Sequence, residues 1–320
     1  MEEASVRPGW ETLPRAVRLW VQEQAGTQVL EARTTAGGLT SGVATLASMA
    51  DGQRLFIKAA REDDDTAELC RAEARAASAL PVAVPAPRLR RHAEMDGWTV
   101  LVFDAVDGRH PSLAPSSLDL PVVLSTVAGL SDLLTPCPLQ QAPAVGDDLA
   151  ADFTGWQHIA STPPSDLDPW AQRHLEQLVE LEQQSLLALD GSTMLHTDLR
   201  ADNLLVSGDQ AWIVDWSWAV RGAAWLDAAF LLPQLVLAGH TAASAETAMR
   251  AIPAWREADS TAITAFAAGL TGLWEAGSRN PTSPSALRAY RRRAAAAGRA
   301  WLRHRNPVWG GRRALTGRWR

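Results

Sequence analysis

The stretch LHTDLRADNLLVSGDQAWIVDW, residues 195–216, reads as strand, loop, strand, turn, strand. Asp198 and Asn203 stand five apart on one loop, a spacing that aims an acid and an amide at one point. Asp215 follows twelve residues after Asn203 and closes an apolar strand, Trp212-Ile213-Val214-Asp215. Asn203 and Asp215 are oxygen donors of the kind Mg²⁺ takes. That ion binds few protein groups and fills its shell with phosphate and water, so a sparse pair suits a nucleotide-bound metal. Asp198 beside them can accept or orient a hydroxyl proton.

Upstream, residues 9–24 place Leu13, Val17, Trp20 and Val21 at helical spacing, and Gly26 fits a helix stop. Residues 29–60 read as strand, Gly-rich turn, strand, a hairpin turn at Asp51-Gly52, and strand. The Gly-rich turn carries Gly37, Gly38, Ser41 and Gly42, whose backbone N–H groups can cover phosphates. Lys58 lies on the last of these strands. Residues 66–80 are a helix stopped by Pro81, Pro85 and Pro87, and 98–103 a strand. A helix follows over 120–134, loops and short helices over 135–170, a helix over 171–190, and helices from 223 onward. The expected fold is α+β in two parts. A small antiparallel-sheet lobe covers 1–103, and a larger, mainly helical lobe covers 104–320.

Composition narrows the class. The chain has 320 residues, 47% hydrophobic and 21% charged, which excludes a disordered or collagen-like chain. Cys70 and Cys137 form no disulfide framework and no CxxC pair, so a cytoplasmic, reducing setting is expected. The start, MEEASVRPGW, lacks the order of a secretory signal, and no apolar run is long enough to span a membrane. Of the 30 Lys and Arg residues one is lysine, Lys58, and 29 are arginine. Lysine is a compact ammonium and arginine a broad planar fork. If the arginine bias is mutational, Lys58 is the position that resisted it.

His196-x-Asp198-x-x-x-x-Asn203 followed by Asp215 resembles the motif set of protein-kinase-like enzymes. More specifically it is similar to the aminoglycoside phosphotransferase family of small-molecule kinases. Their metal strand ends on Asp followed by Trp or another residue, as in Asp215-Trp216, rather than Asp-Phe-Gly. Residues 221–232 resemble the same family's Gly…Asp-Leu-Ala stretch, with Asp227 in a structural role. The likeness covers roughly residues 10–235. It implies a bilobal protein-kinase-like fold and an ATP-dependent transfer of a phosphoryl group to a hydroxyl, with GTP as the alternative donor. In that picture Lys58 holds the α/β-phosphates, braced by Glu73 in preference to Glu68. Phe103, Asp104 and Val106 flank the adenine, and Mg²⁺ sits on Asn203 and Asp215. Asp198 and Arg200 act on the acceptor and the transferring group, while His196 packs. Thr197 stands where regulated protein kinases carry an arginine, so control by a phosphorylated loop is not expected.

Eleven residues separate Asp215 from Asp227, too few for a peptide-docking activation loop, so the expected acceptor is a small-molecule alcohol. The resemblance suggests an antibiotic, an aminoglycoside or another natural product, and hence antibiotic resistance. The alternatives are a metabolic alcohol such as choline, homoserine or a sugar, or a silent nucleotide-binding module. The pocket would draw on 107–170 and the helices after 230. There Asp147, Asp148, Asp152, Asp166 and Asp168 suit a polycation, and Trp156 and Trp170 suit an uncharged ring, with loop packing favoured for most of them. The stretch 288–320 holds eleven arginines and no acid, which leaves −17 on residues 1–287 of a chain whose net charge is −6. With Trp301, Trp309 and Trp319 it offers a nucleic-acid surface, but residues 286–305 read better as an amphipathic helix with Trp301 and Leu302 on its apolar side.

Overall fold

A computed structural model describes residues 7–35 and 41–306. Gly37 and Gly38 of the Gly-rich turn, and Trp309 and Trp319 of the tail, lie outside these residues. In chain order the elements are α1 (Arg15–Ala25), β1 (Val29–Thr34), β2 (Val43–Met49), β3 (Arg54–Arg61), α2 (Thr66–Ala79), β4 (Leu89–Met95), β5 (Trp98–Asp104), α3 (Asp119–Leu133), α4 (Val145–Leu149), α5 (Gly155–Ser161), α6 (Pro169–Arg173) and α7 (Leu175–Gln184). They continue as β6 (Thr193–Leu195), β7 (Leu204–Ser207), β8 (Gln210–Ile213), β9 (Val220–Gly222), α8 (Leu226–Leu237), α9 (Ala242–Met249), α10 (Pro253–Glu257), α11 (Ser260–Gly277) and α12 (Ser285–Arg305). Two compact units emerge. The first joins 1–112, 118–142 and 194–220; the second joins 113–117, 143–193 and 221–320.

The first unit is built on an antiparallel sheet of order β1-β2-β3-β5-β4. Strand period decides its faces. Leu55, Ile57 and Ala59 of β3 join Val100 and Val102 of β5 on one side, over Val17 and Val21 of α1. Ala60, Leu101 and Phe103 face the other side, where Ala67, Cys70 and Ala74 of α2 cover them. Lys58 shares parity with Ala60 and pairs in register with Leu101, so its stem leaves the sheet on the α2 side. The helix read over 9–24 starts at Arg15, because Pro14 stands just before the first helical residue; Gly26, at φ 72°, closes it. β4 has no counterpart in the sequence reading. It is an edge strand whose Arg90, Arg91 and His92 are exposed, so it carries no apolar alternation to detect.

The second unit is mostly helical. The helix read over 171–190 is two helices, broken at His174 (φ −117°) and finished at Gln184. Asp168 caps the first of them, accepting from Trp170 N at 3.0 Å, and the Ser185 hydroxyl turns back onto the Glu182 carbonyl at 2.6 Å. α5 crosses α11 at near-backbone contact. A Cβ on Gly155 would lie 2.1 Å from the Gly272 carbonyl oxygen. Glu182, buried, accepts from Trp156 N at 2.8 Å and Gln157 N at 2.9 Å and so finishes the start of α5.

Several residues considered for the acceptor pocket are structural here. Trp156 is fully buried and donates to the Ala268 carbonyl at 2.9 Å, and Trp170 is buried. Asp166 pairs with Arg279 at 2.5 Å and Asp168 with Arg303 at 2.7 Å. The arginine-rich stretch is α12 through Arg305, an amphipathic helix that buries Trp301 and Leu302. Arg299 binds Glu275, and Arg305 binds Glu246 at 2.6 Å. Asp227 is buried in the first turn of α8. No helix among the described residues is long and apolar enough to cross a membrane.

Candidate active site

A cleft of about 460 Å³ opens in the first unit, and all of its lining belongs to that unit. Lys58 and Glu73 line it together with Asn203 and Asp215, which are far away in sequence. Lys58 Nζ lies 2.8 Å from each carboxylate oxygen of Glu73 and 3.3 Å from Asp215 Oδ1. Glu73 is 3% exposed and belongs to the inner face of α2, whereas Glu68, on the same helix, pairs with Arg75 at 3.2 Å at the surface. Burial opposes the Lys58 charge, but Glu73 and Asp215 outweigh it and hold the ammonium above the ordinary lysine range. Burial likewise pushes the Glu73 carboxyl up, and Lys58 pulls it back.

The loop before β7 is fastened from both ends. His196 is fully buried under Trp216, ring centroids 4.9 Å apart and edge-on. Asp198 N donates to His196 Nδ1 at 3.2 Å, so the proton resides on Nε2, which donates to the Val214 carbonyl at 2.9 Å. His196 therefore splices the Asp198 loop to the Asp215 segment. Val214 N donates to the Asn203 carbonyl at 3.0 Å and repeats the splice. Thr197 and Asp215 both adopt left-handed backbone, φ 63° and 65°. Such strain at non-glycine residues costs on the order of 1–3 kcal/mol each and persists where contacts over-determine it. The Thr197 hydroxyl donates to the Trp218 carbonyl at 3.0 Å, and Ser217 Oγ donates to Asp215 Oδ1 at 2.6 Å. Asp215 does not close the strand as the sequence suggests. β8 ends at Ile213, and the left-handed turn re-aims the carboxylate.

The acid and the amide do meet. Asn203 donates through Nδ2 to the Asp198 carbonyl oxygen and to Asp198 Oδ2, both at 2.9 Å. This uses the amide hydrogens and leaves Oδ1 as the atom for a cation. For Asp215, burial raises the pKa, but Lys58 and then the Ser217 hydroxyl more than reverse it and hold the carboxyl at about 2. An ionised carboxylate and an amide oxygen on one cleft fit Mg²⁺. Asp198 moves the other way. Burial raises it, with Arg200, at 3.2 Å from Oδ1, pulling it back. A carboxylate whose pKa is raised by burial is a stronger base, which suits a proton acceptor. Arg200 also holds Asp202 at 3.0 Å.

The remaining expected residues divide. Gly42, Phe103, Asp104 and Val106 line the cleft; Ser41, Asp198 and Arg200 do not. Ser41 Oγ bonds Asp64 Oδ2 at 2.6 Å and Thr66 Oγ1 at 3.1 Å, which ties the strand entry to the start of α2. Gly42 has no room for a side chain, since a Cβ would lie 2.7 Å from the Ala59 carbonyl oxygen. The backbone of 104–106 runs along the rim, with Asp104 N on Arg88 O at 2.9 Å and Ala105 N on Arg54 O at 3.2 Å. Among the cleft residues that the sequence reading did not single out are Ser217, His110 and Arg7. Ser217 sits two positions past Asp215 and was findable by proximity. His110, bonded through Nδ1 to the Leu204 carbonyl at 3.0 Å, and Arg7 have no spacing that marks them.

No curated protein matches this chain. Among solved structures, an aminoglycoside phosphotransferase in ternary complex with AMP-PNP and hygromycin B is similar, at 17% identity over 90% of this chain and 99% of that one, TM-score 0.61. A choline/ethanolamine kinase family protein from Mesorhizobium loti shares 19% identity over 88% and 93%, TM-score 0.58. A putative fructosamine-3-kinase from Thermobifida fusca shares 19% over 91% and 100%, TM-score 0.55. These likenesses carry the fold, α+β and protein-kinase-like. A family model, APH, described as a phosphotransferase enzyme family, matches residues 44–306. That span runs from the strand before Lys58 to the end of α12, and the chain therefore belongs to the phosphotransferase enzyme family.

Proposed function

We propose that this protein is an ATP-dependent kinase that phosphorylates a hydroxyl of a small molecule, an antibiotic in the first instance. The observation that carries the reading is Lys58 Nζ held between Glu73 and Asp215 on the cleft that Asn203 shares. Lys58 binds the α/β-phosphates, and Glu73 keeps its ammonium charged and in place. Gly42 lines the cleft, and with no side chain there the phosphates can approach the main chain. The adenine lies along Phe103 and meets backbone groups of Asp104 and Val106. Asn203 and Asp215 would hold Mg²⁺, which neutralises and aligns the phosphates when bound. Asp198 takes the hydroxyl proton as the acceptor oxygen bonds to the γ-phosphorus and the bond from that phosphorus to the β–γ bridging oxygen breaks, releasing ADP. Arg200 steadies Asp198 and offers a cation to the charge on the transferring group. The cut between a nucleotide-binding lobe and a catalytic lobe is placed at 103/104, and the setting is cytoplasmic.

The two classes of small-molecule acceptor are separated by experiment. ADP release is measured over a panel of aminoglycosides, other antibiotics, choline, homoserine and sugars, with Mg²⁺ and with ATP or GTP. Mg²⁺-dependent release on an antibiotic supports the reading. Release on a metabolic alcohol alone moves the substrate class. Stabilisation by ATP with no turnover on any alcohol overturns the enzyme reading in favour of a silent nucleotide-binding module.

A further inference from the structure

Arg7 stands outside every element and every motif, yet it lines the same cleft as Lys58, Asn203 and Asp215. Its placement is built. Trp10 and Leu13, three and six residues on, are buried in the cluster beneath the sheet. Between them the chain makes a tight turn, with Thr12 N and Thr12 Oγ1 both donating to the Gly9 carbonyl, at 3.0 and 2.7 Å. Gly9 lies against the end of β1, where a Cβ would sit 3.0 Å from Thr34 Oγ1. The next residue of that strand exit, Thr35, and Arg33 before it also line the cleft. The segment is thus pinned across the end of β1, and Arg7 is carried onto the cleft wall, within reach of the Asp215 charge.

The acids that line the cleft or flank its catalytic loop are mostly committed. Glu73 is taken by Lys58, Asp107 by Arg54 at 3.0 Å, Asp104 by Arg90 and Asp202 by Arg200. Asp215 pairs with Lys58 at 3.3 Å, and its charge also reaches Arg7. Burial lowers the Arg7 pKa, and the nearby Asp215 charge offsets only part of that. A half-buried arginine on the cleft wall has already lost part of its hydration, so an anion bound in that cleft meets a cation that is cheap to engage.

We infer that Arg7 is a second phosphate-binding cation, delivered over the cleft by the segment before Trp10, and that it takes the terminal phosphates of the bound nucleotide while Lys58 takes the inner ones. The inference rests on the nucleotide reading above. The fork of Arg7 can grip two phosphate oxygens, whereas the ammonium of Lys58 fits one narrow slot.

The test is equilibrium binding, by calorimetry, of ATP, ADP, AMP and adenosine to the unaltered protein, Arg7→Ala and Arg7→Lys, each with Mg²⁺ and with chelator. Arg7→Ala should weaken ATP roughly tenfold or more, the worth of a charged hydrogen bond, and leave adenosine and AMP unchanged. Arg7→Lys should recover part of the loss. Unchanged ATP affinity in Arg7→Ala overturns the inference. Tighter ATP binding overturns it too and makes the segment a plug. If the unaltered protein binds no nucleotide, the nucleotide reading itself fails, an outcome distinct from either. Adenosine binding also reports that the variants are folded.

Discussion

Replacing Lys58 by methionine keeps the length of the stem and removes its charge. Glu73, 3% exposed, then keeps its carboxylate with no cation in reach of the two 2.8 Å contacts it makes now. Asp215 loses the ammonium at 3.3 Å that pulls its pKa down. Breaking a buried pair from one side costs about 3–5 kcal/mol, and the low end, about 3 kcal/mol, applies because burial already favours a protonated Glu73. Glu73→Gln alone strands the ammonium less severely, since Asp215 remains. The double variant Lys58→Met with Glu73→Gln removes both charges, so its cost should fall below the sum of the singles by about 2 kcal/mol. Urea unfolding read by circular dichroism and by tryptophan fluorescence gives each value, with coincident transitions as the check on two-state behaviour. Lys58→Arg separates structure from function. A guanidinium can grip Glu73 and keep stability, but its breadth mis-seats the phosphates, and turnover should fall about a hundredfold, the cost of a misplacement near 1 Å. Single costs that add within about 0.5 kcal/mol would refute the pair as an energetic unit. Wild-type turnover in Lys58→Arg would refute the argument from shape.

Asp198→Ala should lower kcat by about 10²–10⁴-fold with little change in ATP affinity, read by steady-state ADP release beside calorimetry. Arg200→Ala should move the acidic limb of kcat/KM to higher pH. Asp198 works ionised, burial raises its pKa and Arg200 lowers it, so removing the arginine leaves burial less opposed; a limb that stays put or moves down contradicts this. Gly155→Ala should destabilise the second unit by about 3 kcal/mol or more, because its Cβ would lie 2.1 Å from the Gly272 carbonyl oxygen. Gly129→Ala, in α3 with nothing within 4 Å of the new Cβ, should instead stabilise by about 0.5–1 kcal/mol in the same unfolding assay.

Local chemistry was legible where it repeats at short range. The spacing of Asp198, Asn203 and Asp215, the hairpin at Asp51-Gly52 and the helix over 66–80 all depend on neighbours in sequence, and a strand period or a helix turn is written in such neighbours. Strand β4 was not legible, because an exposed edge asks nothing of its side chains. The break at His174 and the true end of β8 were not legible either. Each depends on capping or on a left-handed turn that distant contacts hold.

The sequence by itself determined the α+β pattern, the family and the residue types that chemistry of this kind needs. The resemblance preferred Glu73 to Glu68 without a geometric reason, and the tertiary structure supplies one: parity on β3 and the inner face of α2 bring Glu73 to the lysine nitrogen. Tertiary structure also moves the acidities of Asp198 and Asp215 in opposite directions. Burial drives one up, while an ammonium 3.3 Å away holds the other down. Charge and dielectric act through space, and a linear order of residues does not record distance.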